Sequence, residues 1–358
     1  MKRILLFTDV LGSGGAQRQL VTLAVLLKQQ GFDVRLLDYW DDRFYDEYLT
    51  LRQVPFKHVP TKGKWRIIKM FVRKLKCIKP DTVIAYMENP AIVACMGKML
   101  TMRRIKLIVS ERNTTQFISR STRLRFFLFR CLADHVVPNS HSQDKFIREH
   151  FRTVAHKTHV ITNVIDTETF RPKETVRTES NMVKFVVVAR VVEQKNVLRF
   201  IEAVALLKNK ARTFHVDWYG NPYPETYFEC CKEQVRALCL QDVFAFHAPV
   251  QDVVAVYHSA DVFVLPSIYE GFPNTLCEAM ACGLPVIASN VCDNPYIVTD
   301  STCGLLVDPL KPETMAQAMA QFINMSQKER QQMGHACRKH IETNFSMEEF
   351  VNAYIKLL

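Results

Sequence analysis

Two glutamates eight positions apart, Glu270 and Glu278, lie in the string PSIYEGFPNTLCEAMACGLPVIASN at residues 266–290. An apolar run at 262–265 ends just before it, a loop with Gly271 and Pro273 follows, and a helix is expected from Asn274 or Thr275. The opening turn of a helix leaves backbone N–H groups without intrahelical acceptors. Asn274, Thr275 and Leu276 would therefore offer donors to an anion such as a diphosphate. Carboxylates only accept hydrogen bonds, so the two glutamates suit polyhydroxylated groups, one gripping a sugar and the other a ribose diol. Each has a plainer reading alone: Glu278 complementing the helix dipole and Glu270 as a loop surface charge. The whole string together favours the ligand.

The elements that must position these residues follow a βα rhythm. Short apolar runs at 4–7, 34–37, 82–85, 106–109 and 135–137 alternate with helix-period segments at 16–30, 66–78, 90–100, 121–132 and 142–150. Strands are expected again at 184–189, 215–218, 243–246, 262–265 and 285–288, with helices at 196–207 and 226–238. This pattern predicts parallel sheets, whose ligands sit at the carboxyl ends of the strands. The expected fold is α/β, with two doubly wound Rossmann-like domains facing each other across a cleft. Residues 166–182 carry Pro172 and no sustained apolar period, so the boundary is placed near 175, giving domains 1–175 and 176–358. The last helix, about 345–358, is expected to pack back on the first domain.

Composition fits such a pair of domains. The 358 residues are 48% hydrophobic and 23% charged, and no run approaches the ~18 apolar residues of a membrane span. Met1-Lys2-Arg3 leads into Ile4–Phe7 and then Thr8-Asp9, which reads as a buried strand rather than a leader peptide and points to the cytoplasm. The 11 cysteines contain no C-x-x-C pair, and neither a D-x-D motif nor a His/Cys cluster offers a metal site. Buried thiols in a reducing compartment are expected. The net charge of +11 is uneven: residues 1–170 hold 29 Lys and Arg against 15 Asp and Glu, the remainder 18 against 21. An anionic partner for the first half follows, either nucleic acid or the cytoplasmic face of a membrane.

Two basic–aromatic segments sharpen that choice. KGKWRIIKMFVRKLKCIK (62–79) puts Ile67, Phe71, Leu75 and Ile78 on one helical face among cations, and RSTRLRFFLFR (120–130) sets Phe126, Phe127 and Phe129 among arginines. Such helices favour anionic lipid headgroups; the alternative is an ordinary core face flanked by snorkelling cations. No sequence signature of a nucleic-acid-binding module accompanies them.

The 266–290 string resembles the E-x7-E motif of glycosyltransferase family 4, the retaining group with the GT-B fold. Further segments match in order: GSGGAQRQL (12–20), ITNVIDTETFRP (161–172), VVVARVVEQKN (186–196) and CGLLVDPLKPE (303–313). The resemblance implies an amino-terminal acceptor domain and a carboxy-terminal nucleotide-sugar domain. Glu270 would hold hydroxyls of the transferred sugar and Glu278 the ribose, while Arg190 and Lys195 bind the donor diphosphate and steady the leaving group. Gly14 and Gly15 would let the first loop approach the phosphates. That loop is not G-x-G-x-x-G, since Gln17 takes the last glycine's place. The resemblance also implies that the leaving phosphate helps deprotonate the acceptor on the same face, giving retention with no enzymatic nucleophile.

Two segments depart from the pattern. Where many relatives have a histidine facing the sugar, this chain has Ser110-Glu111-Arg112-Asn113, with Arg112 or Asn113 as candidate substrate contacts and a polar turn as the equal alternative. After Ser289 the family often has a glycine-rich loop and a glutamate; here the chain reads NVCDNPYIV. The expected activity is transfer of a hexose or N-acetylhexosamine from a nucleotide-diphosphate sugar to a lipid-linked or glycan acceptor in surface polysaccharide synthesis. The donor is a substrate and no cofactor or metal is expected. The enzyme would be peripheral on the inner face of the cytoplasmic membrane, held by its basic amino-terminal domain. The alternatives are a nucleotide-sugar epimerase, a glycosidase using the two glutamates, or a non-catalytic sugar-nucleotide or lipid-binding module.

Overall fold

The computed structural model describes residues 1–112, 115, 117–174, 182–208, 213–299 and 302–358. They fall into two compact units, Met1–Val164 with Met347–Leu358, and Ile165–Ser346. The first unit holds a six-stranded sheet of β1 (Arg3–Phe7), β2 (Asp33–Asp38), β3 (Phe56–His58), β4 (Thr82–Tyr86), β5 (Lys106–Glu111) and β6 (His135–Pro138), in the order β3-β2-β1-β4-β5-β6. The second holds β7 (Val183–Val188), β8 (Phe214–Tyr219), β9 (Phe244–His247), β10 (Val262–Leu265), β11 (Val286–Ser289) and β12 (Gly304–Val307), ordered β12-β11-β10-β7-β8-β9. Every neighbouring pair is parallel. Each sheet therefore reverses its strand order once, between β1 and β4 and between β7 and β10. Such switch points are where doubly wound sheets bind ligands.

Burial on both faces explains why these strands read as unbroken apolar runs. In β1, Ile4 and Leu6 enter one core cluster and Leu5 and Phe7 the other. In β10, Val262 and Val264 face one side, Phe263 and Leu265 the opposite side. β3 escaped the sequence reading because it is only three residues long and none of them is buried.

The division falls between Val164 and Ile165, upstream of the expected 175. Gln19 clamps Val164, where the chain leaves the first unit: its Nε2 donates to Val164 O at 2.8 Å, and Val164 N donates to its Oε1 at 2.9 Å. One residue later, Ile165 N donates to Phe345 O inside the second unit. The chain returns to the first unit with the helix Met347–Ile355, whose Phe350, Val351 and Tyr354 share a core with Leu20, Leu23 and Ala24 of the helix Gly15–Gln29.

The basic helix Lys64–Ile78 turns its apolar stripe inward. Phe71 and Leu75 are buried, and Ile67 and Ile78 pack against the same core. Phe126 and Phe129 are likewise buried, which leaves Phe127 of the expected trio exposed. The core-face reading holds for the first stripe and for Phe126 and Phe129, because the first sheet needs a covering layer. No helix among the described residues is long and apolar enough to cross a membrane. All 11 cysteines are free thiols.

Candidate functional site

At the switch point of the second sheet, the segment leaving β7 meets the loop leaving β10. A 3-10 turn, Glu193–Lys195, follows β7 and ends at Asn196, whose φ of 60° is left-handed, a conformation asparagine tolerates. Asn196 Nδ2 reaches the carbonyls of Pro266, at 3.0 Å, and Pro309, at 2.6 Å. Ile268 N donates to Gln194 O, while Gln194 Nε2 donates to Tyr269 O at 2.9 Å. With the two segments so registered, Lys195 Nζ lies 2.5 Å from Glu270 Oε1. Glu270 is buried, and its N–H donates to Cys292 Sγ at 3.5 Å. Arg190 is exposed just beyond β7. Gly220, at the end of β8, leaves room for it: a Cβ there would sit 1.9 Å from Ala189 O and 3.1 Å from Arg190 N.

The expected helix begins at Asn274 and runs to Ala281. Its first turn is tighter than expected. Asn274 N donates to Phe272 O and Leu276 N to Pro273 O, both satisfied within the turn that Pro273 opens. Of the three N–H groups assigned to an anion, Thr275's alone has no such backbone acceptor among the described residues. Glu278 is buried on this helix and accepts from Tyr257 Oη at 3.3 Å.

The first unit places its candidates differently. Gly14 stands immediately before the helix Gly15–Gln29, which has no side-chain cap and no acidic residue in its first turn, an arrangement open to an anion. A Cβ on Gly14 would lie 2.3 Å from Gln17 Oε1, so the side chain that stands where a G-x-G-x-x-G loop has its last glycine fills the space beside it.

Arg112, just beyond β5, is buried within the first unit. It is 6% exposed, and its guanidinium donates to Asn163 Oδ1 (2.8 Å), Tyr86 Oη (2.6 Å) and Tyr354 Oη (2.5 Å) while lying 4.2 Å over the Tyr86 ring. A buried cation needs such partners, and the carboxy-terminal helix supplies one of them. Asn113 lies outside the described residues. Glu111, the residue before Arg112, is buried against Arg125 at 3.1 Å, with Glu88 on the other side of that guanidinium. Burial pushes the Glu111 carboxyl up to about 7, with Arg125 opposing the shift and Glu88 adding to it. Arg125 also donates to Thr115 Oγ1, and Gln143 bonds Thr115 through both amide atoms. Sequence reasoning missed Gln194, Asn196, Tyr257 and Cys292 as parts of the second unit's site. The first two lie in the quoted 186–196 segment and Cys292 in the departing NVCDNPYIV loop, but their partners are distant in sequence.

Two family models divide the chain at nearly the place where the structure does. Glycosyltransferase Family 4 matches residues 13–169, and Glycosyl transferases group 1 matches 166–340. The chain belongs to glycosyltransferase family 4. An uncharacterised glycosyltransferase of Haemophilus influenzae is 26% identical over 334 residues, 90% of this chain and 91% of that one. O-antigen chain mannosyltransferase B of Escherichia coli is 46% identical over 63 residues, 18% of this chain and 16% of that one. Among solved structures, Anabaena HepE in complex with UDP superposes with a TM-score of 0.85 at 18% identity, covering 99% of each chain. The fold is GT-B, two Rossmann-like units, and this family 4 enzyme is a glycosyltransferase.

Proposed function

We propose that this glycosyltransferase transfers a hexose or N-acetylhexosamine, with retention, from a nucleotide-diphosphate sugar to a lipid-linked or glycan acceptor in surface polysaccharide synthesis. The observation that carries the reading is the Lys195–Glu270 pair at the β7/β10 switch point, beside the helix that bears buried Glu278. Glu270 takes hydroxyls of the sugar and Glu278 the ribose diol. Arg190 and Lys195 take the diphosphate, where negative charge grows as the leaving group departs. Gly14 and Gly15, at the uncapped start of the helix Gly15–Gln29, leave backbone N–H groups that suit a phosphate. The bond from C1 to the β-phosphate oxygen breaks as the acceptor oxygen bonds C1 on the same face. The acceptor proton passes to the leaving phosphate, and the products are a glycoside and a nucleoside diphosphate. HepE's complex with UDP and the O-antigen mannosyltransferase relative support the donor and acceptor classes.

Membrane association is part of the proposal. The helix Arg120–Leu132 keeps Leu124 and Phe127 exposed beside Arg120, Arg123 and Arg130, with Phe117 just before it. Apolar side chains amid cations suit an anionic bilayer surface. Co-sedimentation with phosphatidylglycerol vesicles, and its loss in Leu124→Glu/Phe127→Glu, tests this point.

The decisive experiment measures nucleotide release from UDP-, GDP- and ADP-sugars, with and without a membrane lipid extract, for wild type and Glu270→Ala. Lipid-dependent release from one donor, lost in the variant and yielding an anomer-retained product, supports the reading. Turnover without acceptor that returns an isomerised donor would replace it with an epimerase. A folded protein that neither binds nor turns over any donor would leave a binding module.

A further inference from the structure

The peptide unit that precedes Glu270 is held at both of its polar ends. Its carbonyl, Tyr269 O, accepts from Gln194 Nε2 at 2.9 Å, and its amide, Glu270 N, donates to Cys292 Sγ at 3.5 Å. The two grips come from opposite directions in the chain: Gln194 from the 3-10 turn after β7, Cys292 from the loop after β11. The orientation of a peptide plane sets the direction in which the next Cα–Cβ bond leaves, and so where the Glu270 carboxylate points. Lys195 then holds that carboxylate from the adjoining position of the same turn.

Cys292 carries a backbone cost. Its φ of 50° is left-handed, a conformation in which glycine is the unstrained residue. A side chain here is disfavoured by the backbone alone, yet this one ends at the amide of Glu270. The surrounding turn is built firmly enough to sustain the strain. Val291 N donates to Ser289 O, Asn294 N to Val291 O, and Asn294 Nδ2 to Ser289 O, with Asp293 and Asn294 fully buried.

We propose that Gln194 and Cys292 are positioning residues for transfer, acting through Glu270 by fixing the Tyr269–Glu270 peptide, and that the side chain at 292 serves as a hydrogen-bond acceptor. The proposal rests on the reading of Glu270 as the residue that holds the transferred sugar. Glu278, on the next helix, is anchored by Tyr257 and lies outside the grip. Loosening the peptide therefore affects the sugar end of the donor and spares the nucleotide end.

A comparison of Cys292→Gly with Cys292→Ser separates this role from a merely conformational one. Glycine relieves the left-handed backbone and deletes the acceptor; serine keeps an acceptor and the strain. The expected result is that Cys292→Gly and Gln194→Ala each lower kcat for sugar transfer at least tenfold, with the nucleoside diphosphate Kd, measured calorimetrically, within twofold of wild type. Cys292→Ser is expected to stay within threefold in kcat. Glycine as active as wild type, or serine as impaired as glycine, would overturn the proposal.

A second arm needs no turnover, so it reports on the grip even if the donor assignment fails. Full-length protein is treated with iodoacetamide, and alkylation at Cys292 is quantified by peptide mass mapping. Gln194→Ala is expected to raise the rate at Cys292 at least threefold while leaving exposed Cys77 and Cys131 unchanged. An unchanged Cys292 rate would show that the two contacts do not act on one peptide.

Discussion

Lys195 and Glu270 stand 75 positions apart in the chain, yet Nζ and Oε1 meet at 2.5 Å with both side chains largely screened from solvent. Removing one partner of a buried pair leaves the other charge uncompensated. Lys195→Met is expected to cost about 3 kcal/mol, the low end of the range for a broken buried pair. Adding Glu270→Gln should recover at least ~1 kcal/mol of it, because the two losses share one interaction. Urea unfolding of both single variants and the double variant measures the coupling. Strict additivity would mean that the pair is incidental. Glu270→Gln alone should lower nucleotide-sugar turnover by about 100-fold, as for a group lost from transition-state stabilisation.

Gly220 is expected to control Arg190 without touching ligand. Its absent Cβ would clash with Ala189 O, a carbonyl already held by Trp218 Nε1 at 2.8 Å, so Gly220→Ala must displace the peptide leading into Arg190. The overpacking should cost about 1–3 kcal/mol. Nucleoside diphosphate affinity should fall about tenfold, or about 1.4 kcal/mol. Calorimetric titration beside Arg190→Ala checks this. Unchanged affinity in Gly220→Ala, with a normal effect in Arg190→Ala, would mean that the peptide relaxes elsewhere.

Arg112 is expected to behave as an anchor for the helix Met347–Ile355. Arg112→Ala removes charge-assisted bonds to Tyr86, Tyr354 and Asn163 and should cost about 3 kcal/mol, a fall in Tm of roughly 6–12 °C for a unit of this size. Tyr354→Phe should cost about 1 kcal/mol, since Tyr86 Oη keeps the guanidinium. Differential scanning calorimetry reads both. A variant with wild-type Tm and lost transfer would return Arg112 to the role of substrate contact.

Glu111 should make the first unit's stability fall as pH rises from about 4.5 to about 7. Its folded pKa, raised by burial to about 7, exceeds the ordinary 4.5, so over that window the folded state holds a proton that the unfolded state has released. The stability so gained is fully present below 4.5 and fully lost above 7. Glu111→Gln keeps the shape and removes the titration, so its stability relative to wild type should rise between pH 5 and pH 7.5. Arg125 and Glu88, the charges that face it, are unchanged in that comparison. A constant difference across the window would show that Glu111 is ionised throughout.

Much of this architecture is legible along the chain. Runs such as Ile4–Phe7 and Val262–Leu265 announce strands buried on both faces, because nothing else keeps four successive apolar residues from water in a βα rhythm. Glu270, Glu278, Arg190 and Lys195 stand out as candidates because their spacing lies in short contiguous strings. The setting of Arg112 is not legible for the opposite reason. Its neighbours in sequence are polar residues, while the groups that hold it come from β4, from Asn163 and from the carboxy-terminal helix. The stripe of Ile67, Phe71, Leu75 and Ile78 was ambiguous because helical periodicity reports an apolar face and not what covers it.

The sequence by itself determined the order of elements, the parallel sheets and the chemistry available at the carboxyl ends of β7 and β10. Those depend on local periodicity and on residue type, which are written position by position. Only the tertiary structure decided which of these residues meet. Strand crossover brings Lys195 to Glu270, Gln194 to Tyr269 and Cys292 to the amide of Glu270. It likewise satisfies two of the three helix-start N–H groups within a turn and removes Arg112 from solvent. The reason is physical: hydrogen bonds and ion pairs form between groups that packing brings within about 3 Å, and packing joins segments by sheet order rather than by distance along the chain.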